Sequence, residues 1–427
     1  MPSATTTRLS TTDSLRVLLR VLAPTVAGGV IKRRPPVLRL ASLLDADRGA
    51  IAELARLRAR YDGAPVLVRV PGRAVALVLS AADVGEVLAD TPDPFTPATR
   101  EKTGALARFQ PHGVLISKDG GRTARREFNE RALETPRPLH HLADRIRTVV
   151  RTETERLLEG RAELDWVAFE EAWWRVVRRV VLGETARDDT ALTAMLDRLR
   201  RSGNWAGFAP AHRRLRARFV ARLRGYLDDA EPRTLAGDIA GDTRTDPASQ
   251  VAHWLFAFDA AGMVTVRALA MLATHPAALA SARGELDDPA LPYLRASVLD
   301  TIRLWPTTPA LLRETGRDTV LGGQVLPART QLLVFTPFFH RDPALSYADS
   351  FEPGIWLDGR AEANPALVPF SAGPAVCPGR NLVLFTTSTM LGALIGERSF
   401  ALESPAFDPA GPLPATVDNF GMRFRIS

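Results

Sequence analysis

Cysteine and lysine are the residues of which this 427-residue chain has least. It holds one cysteine and three lysines, Lys32, Lys102 and Lys118, so nearly all of its basic charge is arginine. A single cysteine excludes an intrachain disulfide and fits a reducing compartment, so we expect a cytoplasmic protein. One cysteine and seven scattered histidines also lack the ligand-pair spacing of a zinc site.

A recognisable nucleic-acid-binding module is also missing, although the net charge is +7. Without such a module, basic charge is weak support for a nucleic-acid partner, and we predict none. A basic surface can instead attract an acidic protein partner.

A long uninterrupted apolar run is absent from the N-terminal stretch SLRVLLRVLAPTVAGGVIKRRPP, residues 14–36. Arg20 and Pro24 interrupt it, and it falls short of the ~20 apolar residues that span a bilayer. A secretory signal does not fit either. We therefore expect residues 1–46 to pack on the rest of the chain without a transmembrane span. A peripheral membrane contact, with KRRPP at the interface, stays open.

Helical periodicity is the dominant pattern after residue 46. Residues 47–61 have the apolar spacing of a helix, and residues 65–80 form two β-rich runs typical of a hairpin. The run at 249–276 is apolar on all sides, which predicts a buried central helix. Short strands come after about residue 315, then a helix over residues 378–394. We predict one large, mainly α domain over residues 47–427, with small β-sheets at its periphery.

The sole cysteine, Cys377, lies in the loop PFSAGPAVCPGR, residues 369–380. Pro378 is suited to the first position of a helix, and a helix N-terminus stabilises a thiolate. Gly373 permits a positive φ, and Gly379 removes a side chain where a bulky ligand would approach the backbone. A small buried hydrophobe is the commoner fate of an isolated cysteine. A cysteine nucleophile would need a histidine base, for which the sequence has no local signature.

This loop resembles the haem-binding loop of the cytochrome P450 monooxygenases: Phe, two residues, Gly, three residues, Cys, one residue, Gly. Phe370, Gly373, Cys377 and Gly379 fall on that pattern. The resemblance implies that Cys377 is the thiolate ligand of the iron of haem b, with Phe370 packed beside it. Such a thiolate pushes electron density through the iron and favours cleavage of dioxygen.

A second segment, VLDTIRLWPTTPALLRET, resembles the Glu-x-x-Arg helix of the same family. Asp300 stands where glutamate is usual, and Arg303 is in place. The family's third partner, an arginine, is replaced by Ile355. We expect His340 or Arg341 to substitute for it.

The central helix carries AFDAAGMVT, which is similar to the family's oxygen-binding motif at Ala261, Gly262 and Thr265. The resemblance implies that the small residues make room for dioxygen and substrate and that Thr265 helps to deliver a proton. A threonine hydroxyl in a helix can instead bond back to a carbonyl one turn earlier. Val264 occupies the acid position and cannot relay a proton. Asp259 lies off the helical face of Thr265, so we do not expect it to replace the acid.

The haem propionates require cationic partners. Arg313 matches the family's propionate-binding arginine, and Arg122 and Arg126 have the four-residue spacing of a further family helix, with Arg125 as a rival. Ala375 stands where the family usually has a cationic or histidine contact. For these arginines, a solvated helix face is the alternative.

The resemblance implies an enzyme that hydroxylates or epoxidises an apolar small molecule in bacterial secondary metabolism. A ferredoxin or flavodoxin with an NAD(P)H-dependent reductase would supply the electrons. Val264 also admits an isomerase, a coupling enzyme or a peroxygenase, and a non-enzymatic haem sensor is a further alternative. Substrate contacts are expected near residues 205–208, 256–261, 307–311 and 419–422.

Overall fold

The computed structural model describes residues 7–70, 72–205 and 210–427. Pro71 in the predicted hairpin and residues 206–208 of the predicted substrate contacts lie outside them. The α-helices are α1 Thr11–Val17, α2 Ala23–Ala27, α3 Pro35–Leu43, α4 Ala46–Arg60, α5 Ala81–Ala89, α6 Arg100–Leu106, α7 Asp119–Ala132, α8 Ala143–Leu158, α9 Trp166–Val181, α10 Thr190–Gly203, α11 Arg213–Asp228, α12 Leu235–Asp238, α13 Pro247–Thr274, α14 Pro276–Gly284, α15 Pro292–Leu304, α16 Thr336–His340 and α17 Arg380–Glu397. The strands are β1 Val66–Val70, β2 Arg73–Leu77, β3 Phe95–Thr96, β4 Glu163–Asp165, β5 Ala310–Thr315, β6 Thr319–Leu321, β7 Gln324–Leu326, β8 Gln331–Phe335, β9 Phe400–Ser404 and β10 Arg423–Ile426.

The chain divides into two compact units. The first comprises the described residues of 1–99, 302–377 and 411–418, and the second those of 100–301, 378–410 and 419–427. The prediction of a mainly α fold with small sheets is confirmed. The predicted boundary between residues 46 and 47 stays a prediction.

The first unit is organised around a five-stranded sheet in the order β1-β2-β8-β5-β3. The predicted hairpin pairs β1 with β2 in antiparallel register, Val68 opposite Val75. Strand β8 lies parallel to β2 and antiparallel to β5. All five β8 residues are buried, because this strand lies inside the sheet and both of its faces are covered.

The second unit has a helical core. Helix α13 packs on α9 and α17, and α8 packs on both of these helices. Proline at its first position and apolar residues on all sides explain why α13 is a long buried helix. It is long and apolar enough to cross a membrane, but 83% of its most apolar 18-residue window is buried in the structure, which is typical of a core helix.

The end of α15 is fastened to the segment after β8 by buried arginines. The guanidinium group of Arg303, 0% exposed, donates hydrogen bonds to the carbonyl oxygens of His340, Ala348 and Ser350, at 3.2, 3.1 and 2.6 Å. Three hydrogen bonds to main-chain dipoles compensate much of the desolvation of this buried charge.

Arg341 reinforces the same segment. Its Nε donates to the carbonyl of Leu304 at 3.0 Å, and its Nη2 donates to the carbonyl of Pro414 at 2.6 Å. It also forms an ion pair with Asp349, while burial lowers its pKa to about 10. Ile355, in the position of the missing arginine, is fully buried in an apolar cluster. The main-chain carbonyls that accept from Arg303, together with Arg341, therefore hold this segment in the absence of an arginine at position 355.

His340 is buried in its neutral form. Its Nε2 accepts a hydrogen bond from the Val368 main-chain N–H at 3.1 Å, so the ring proton is on Nδ1. Burial, with a smaller contribution from the charge of Arg303, lowers the pKa of His340 to about 3. Protonation of Nε2 would place its N–H against the N–H of Val368, so that two buried donors would face each other without an acceptor.

We predict that His340 makes the protein sensitive to acid. Because its folded-state pKa lies below the value of about 6.5 for an unfolded histidine, the unfolded chain binds this proton more tightly. The stabilisation is present in full above pH ~6.5 and is lost as the pH falls towards the folded-state pKa. Urea unfolding over this range should show a shallower loss of stability for His340→Gln than for the wild type. The exposed His212→Gln is the control, and equal pH slopes for both variants would contradict the prediction.

Candidate functional site

The segment around the sole cysteine folds into a tight loop. A bridge joins Pro369 and Ser371, and a 3₁₀ turn spans residues 373–375. The main-chain N–H of Cys377 donates to the carbonyl of Phe370 at 2.9 Å. Cys377 itself is half-buried and not in a disulfide. The loop thus fixes the backbone of the cysteine while leaving its side chain partly accessible.

Gly373 is required by this loop. Its φ is +63°, which confirms the predicted positive φ. A Cβ atom added there would lie 2.1 Å from the carbonyl oxygen of Leu88, at the end of α5. Both the conformation and the close approach of α5 therefore exclude a side chain.

The helix after the cysteine begins later than predicted. Pro378 was expected to open it, but α17 begins at Arg380 and ends at Glu397. The carbonyl of Gly379 accepts the hydrogen bond from Val383 N–H at 2.9 Å, so Gly379 is the N-cap and Pro378 precedes it. A Cβ on Gly379 would meet only Leu133 Cδ1, at an ordinary 3.6 Å. Packing in the second unit does not explain this glycine.

Arg313 is bound to the cysteine loop in the first unit. Its side chain is 3% exposed. Nε donates to Thr91 Oγ1 and Nη2 donates to Ser371 Oγ, both at 3.1 Å. Its Nη1 donates to the Leu312 carbonyl at 3.1 Å, so the guanidinium is held in a fixed position beside the loop, and a guanidinium suits a carboxylate ligand.

Arg122 and Arg126 lie one turn apart on α7 in the second unit. Arg126 Nε donates to Glu130 Oε1 at 2.5 Å. Burial and the neighbouring charge of Arg126 both lower the pKa of Arg122. Arg125 points elsewhere, because its Nη1 donates to Ser117 Oγ at 2.8 Å. A carboxylate ligand beside Arg122 would stabilise its charged form.

Thr265 is fully buried on α13, and its hydroxyl donates to the Ala261 carbonyl at 2.9 Å. This is the back-bond that the sequence offered as the alternative to a catalytic role. This bond uses the hydroxyl proton, and the lone pairs of the oxygen can still accept a hydrogen bond from another donor. The two roles are therefore compatible.

Gly262 has a packing role that the sequence did not reveal. A Cβ atom there would lie 2.7 Å from Trp173 Cδ1 and 2.8 Å from Trp173 Nε1. The indole is buried and donates to the Phe258 carbonyl at 2.7 Å. The space that a Cβ on Gly262 would take holds the Trp173 ring, and the expectation that Gly262 makes room for dioxygen or substrate stays a prediction.

The acid position on α13 remains apolar. Val264 is 3% exposed. Asp259 is held in an ion pair with Arg200, 2.7 Å between Oδ2 and Nη2, and both side chains are 3% exposed. The carboxylate of Asp259 is thus held by Arg200. The expectation that Asp259 does not replace the missing acid stays a prediction.

His253 is a polar group of α13 that sequence reasoning missed. Its ring lies beside Phe256, 5.7 Å between ring centroids. Nδ1 is buried without a hydrogen-bond partner among the described residues, and burial lowers the pKa of His253 to about 4. Its neutral ring can exchange a hydrogen bond with a polar ligand group. The available signal was a histidine inside an otherwise apolar run.

Glu134, His140 and His141 form a compact cluster, with ligand atoms within 4.8 Å of one another. Both nitrogens of His140 are already engaged: Nε2 donates to the Ala132 carbonyl at 3.1 Å, and Nδ1 accepts from Leu142 N–H at 3.2 Å. The cluster is explained as a hydrogen-bonded turn.

The residues in each unit fit the haem that the resemblance implies. In the first unit, Cys377 offers a thiol, and Arg313 meets the same loop through Ser371. In the second, Arg122 is a guanidinium whose pKa is lowered, and among the described residues only Leu133 comes within 4 Å of a Cβ added at Gly379, at an ordinary contact distance. A soft sulfur ligand suits iron, and guanidinium groups suit carboxylates.

The family model described as cytochrome P450 matches residues 263–413. Ferruginol synthase of Salvia fruticosa is 37% identical over 122 residues, 27% of this chain and 25% of that protein. Drimenol monooxygenase of Persicaria hydropiper is 32% identical over 170 residues, 35% of this chain and 32% of that protein. The matched parts thus span about a quarter to a third of these relatives.

Solved structures match over most of the chain. The cytochrome P450DA heme domain has a TM-score of 0.71 at 16% identity and covers 88% of this chain and 92% of its own. The cytochrome P450 CYP102L1 has a TM-score of 0.70 at 18% identity, with 88% and 98% covered. These similarities show the fold.

We predict that Gly262→Ala lowers the free energy of unfolding by about 1–3 kcal/mol, because the added methyl group overpacks the interface with Trp173. Gly225→Ala on α11 is the matched control, since a Cβ there meets nothing within 4 Å and alanine favours helix. Denaturant unfolding should therefore separate the two variants in opposite directions. Equal stabilities would show that Trp173 moves aside without cost.

Proposed function

We propose that this chain, which belongs to the cytochrome P450 superfamily, is a haem-thiolate monooxygenase of bacterial secondary metabolism. It would use NAD(P)H and O₂ to hydroxylate or epoxidise an apolar small molecule. The observation that carries the proposal is the loop that fixes Cys377, with its N–H on the Phe370 carbonyl and Gly373 against α5.

Haem b, when bound, would supply the reductive activation of dioxygen. Cys377 would hold its iron from one side as a thiolate. Arg313, Arg122 and Arg126 would bind the two propionates through charge-assisted hydrogen bonds. Ala375 offers no such contact, which leaves this task to the arginines.

Thr265 would position the water molecule that delivers the proton. With its own proton on the Ala261 carbonyl, its oxygen can accept a hydrogen bond from water and hold that water in place. Val264 cannot relay a proton, and Asp259 is paired with Arg200. The protons for the reaction would therefore arrive through water ordered by Thr265.

The electron donor would be a ferredoxin or flavodoxin with an NAD(P)H-dependent reductase. The net charge of +7 supports an acidic partner of this kind, because opposite charges steer association. A cytoplasmic location fits this partner and the single cysteine.

A second candidate function rests on Val264. An isomerase, a coupling enzyme or a peroxygenase would tolerate a buried apolar residue at the acid position better than a monooxygenase does. Turnover that consumes no O₂ or NAD(P)H would favour this second candidate. A haem sensor is a weaker candidate, because it would not require proton delivery through Thr265.

We predict that Cys377→Ala abolishes the absorption band that thiolate-ligated haem shows in its reduced complex with CO, because the iron loses its sulfur ligand. Ala375→Ser is the control: it alters the same loop, spares the thiol and should keep the band. A band that survives in Cys377→Ala would remove the ligand assignment and, with it, the proposed function.

We predict that Thr265→Val lowers the product formed per NAD(P)H oxidised by at least about tenfold, because valine cannot hold the water that would carry the proton. Thr274→Val is the matched control, because Thr274 on the same helix makes the same bond, to the Ala270 carbonyl at 2.8 Å. The measurement is product formed per NAD(P)H oxidised. If both variants behave alike, Thr265 has a structural role only.

A further inference from the structure

The N-terminal helical stretch presents an apolar stripe outwards. Helix α1, a π-helical turn over residues 18–22 and α2 succeed one another without a break. Val17 and Val21 are buried on the inner side, whereas Leu15, Leu19 and Val26 are 53–62% exposed. These three side chains are therefore turned away from the core that holds Val17 and Val21. The stretch is therefore apolar on both its packed and its exposed side.

Helix α3 repeats this arrangement. Leu38 faces inwards at 9% exposure, while Leu40 and Leu43 are 57% and 77% exposed, and Leu44, directly after the helix, is 70% exposed. Arg34 ties the start of α3 to the end of α2, since its Nη1 donates to the Ala27 carbonyl at 2.9 Å. The two apolar stripes thus belong to one continuous packed segment.

These side chains are concentrated in a small part of the molecule. Among the described residues, seven of twelve exposed large hydrophobic side chains fall within residues 15–44. We call them the N-terminal apolar face: Leu15, Leu19, Val26, Val30, Leu40, Leu43 and Leu44. Scattered exposed hydrophobics need no explanation, but a concentration of this kind marks an interaction surface.

The charge of the same segment has one sign. Residues 14–44 contain six basic residues and no aspartate or glutamate. Arg16 and Arg39 are exposed next to the apolar stripes. The acidic Asp13, just outside the segment, is buried and paired with Arg56 and Arg60. The exposed side chains of this segment are therefore mainly leucine and valine, with arginines beside them.

We propose that residues 14–44 dock this protein peripherally on an anionic lipid surface. Exposed aliphatic side chains can enter the boundary between headgroups and acyl chains, while neighbouring arginines contact the lipid phosphates. The absence of acidic residues removes the repulsion that an anionic surface would otherwise meet. The segment would lie on the membrane surface without crossing the bilayer, because the side chains on its inner side, Val17, Val21 and Leu38, are buried in the protein. This inference does not depend on the proposed enzymatic activity.

The test is flotation of the full-length holoprotein with lipid vesicles. We expect binding to phosphatidylcholine vesicles that contain phosphatidylglycerol, weaker binding to phosphatidylcholine alone, and a loss of binding at high salt. The triple variant Leu15→Ser, Leu19→Ser, Leu43→Ser should reduce the partition coefficient by at least about tenfold. The matched control is Val320→Ser, Val325→Ser, Leu357→Ser, three exposed hydrophobics elsewhere in the first unit, which should bind like the wild type.

Three outcomes would overturn the proposal. One is a wild-type protein that stays at the bottom of the gradient with anionic vesicles. Another is equal flotation of the triple variant and its control. The last is a wild-type dimer in lipid-free solution that the triple variant converts to a monomer, which would assign the face to a second copy of the chain. Haem absorbance of each variant reports folding separately from binding.

Discussion

The contact between Gly373 and the end of α5 is the constraint on which the rest of the candidate site depends. A backbone at φ +63°, with no room for a Cβ beside the Leu88 carbonyl, turns the chain so that Phe370 can accept the N–H of Cys377. Arg313 holds the same loop from β5 through Ser371. The cysteine is thus positioned by the backbone of its loop and by a helix end, so a ligand need not organise it.

Helix α13 shows how a buried helix accommodates polar chemistry. Thr265 satisfies its hydroxyl on its own helix, Asp259 is neutralised by Arg200, and Trp173 fills the notch at Gly262. Thr265 is satisfied within α13, whereas Asp259 and Gly262 depend on residues of the neighbouring helices α10 and α9. His253 is the exception, with an Nδ1 beside Phe256 that has no hydrogen-bond partner among the described residues.

The sequence predicted features whose cause is local. The β1–β2 hairpin results from alternation around a turn, α13 from an apolar run after a proline, and the positive φ of Gly373 from residue type. It did not predict features that depend on distant partners. The residues around Gly262 in the sequence do not indicate that Trp173 packs against it. The residues around Ile355 do not indicate that main-chain carbonyls accept the hydrogen bonds of Arg303. The start of α17 was misplaced because Pro378 and Gly379 are both acceptable at a helix start, and only the Val383 hydrogen bond decides between them.

The hydrogen bonds that hold the end of α15 affect which amino-acid substitutions this region can tolerate. The acceptors of Arg303 are the carbonyl oxygens of residues 340, 348 and 350, and two acceptors of Arg341 are those of Leu304 and Pro414. Every amino acid supplies a carbonyl oxygen, so replacing a side chain at these positions leaves the acceptor in place as long as the backbone keeps its path. Apart from the Asp349 carboxylate that pairs with Arg341, the side chains that these contacts require are those of the two arginines, so substitutions at the acceptor positions should be tolerated better than substitutions of Arg303 or Arg341.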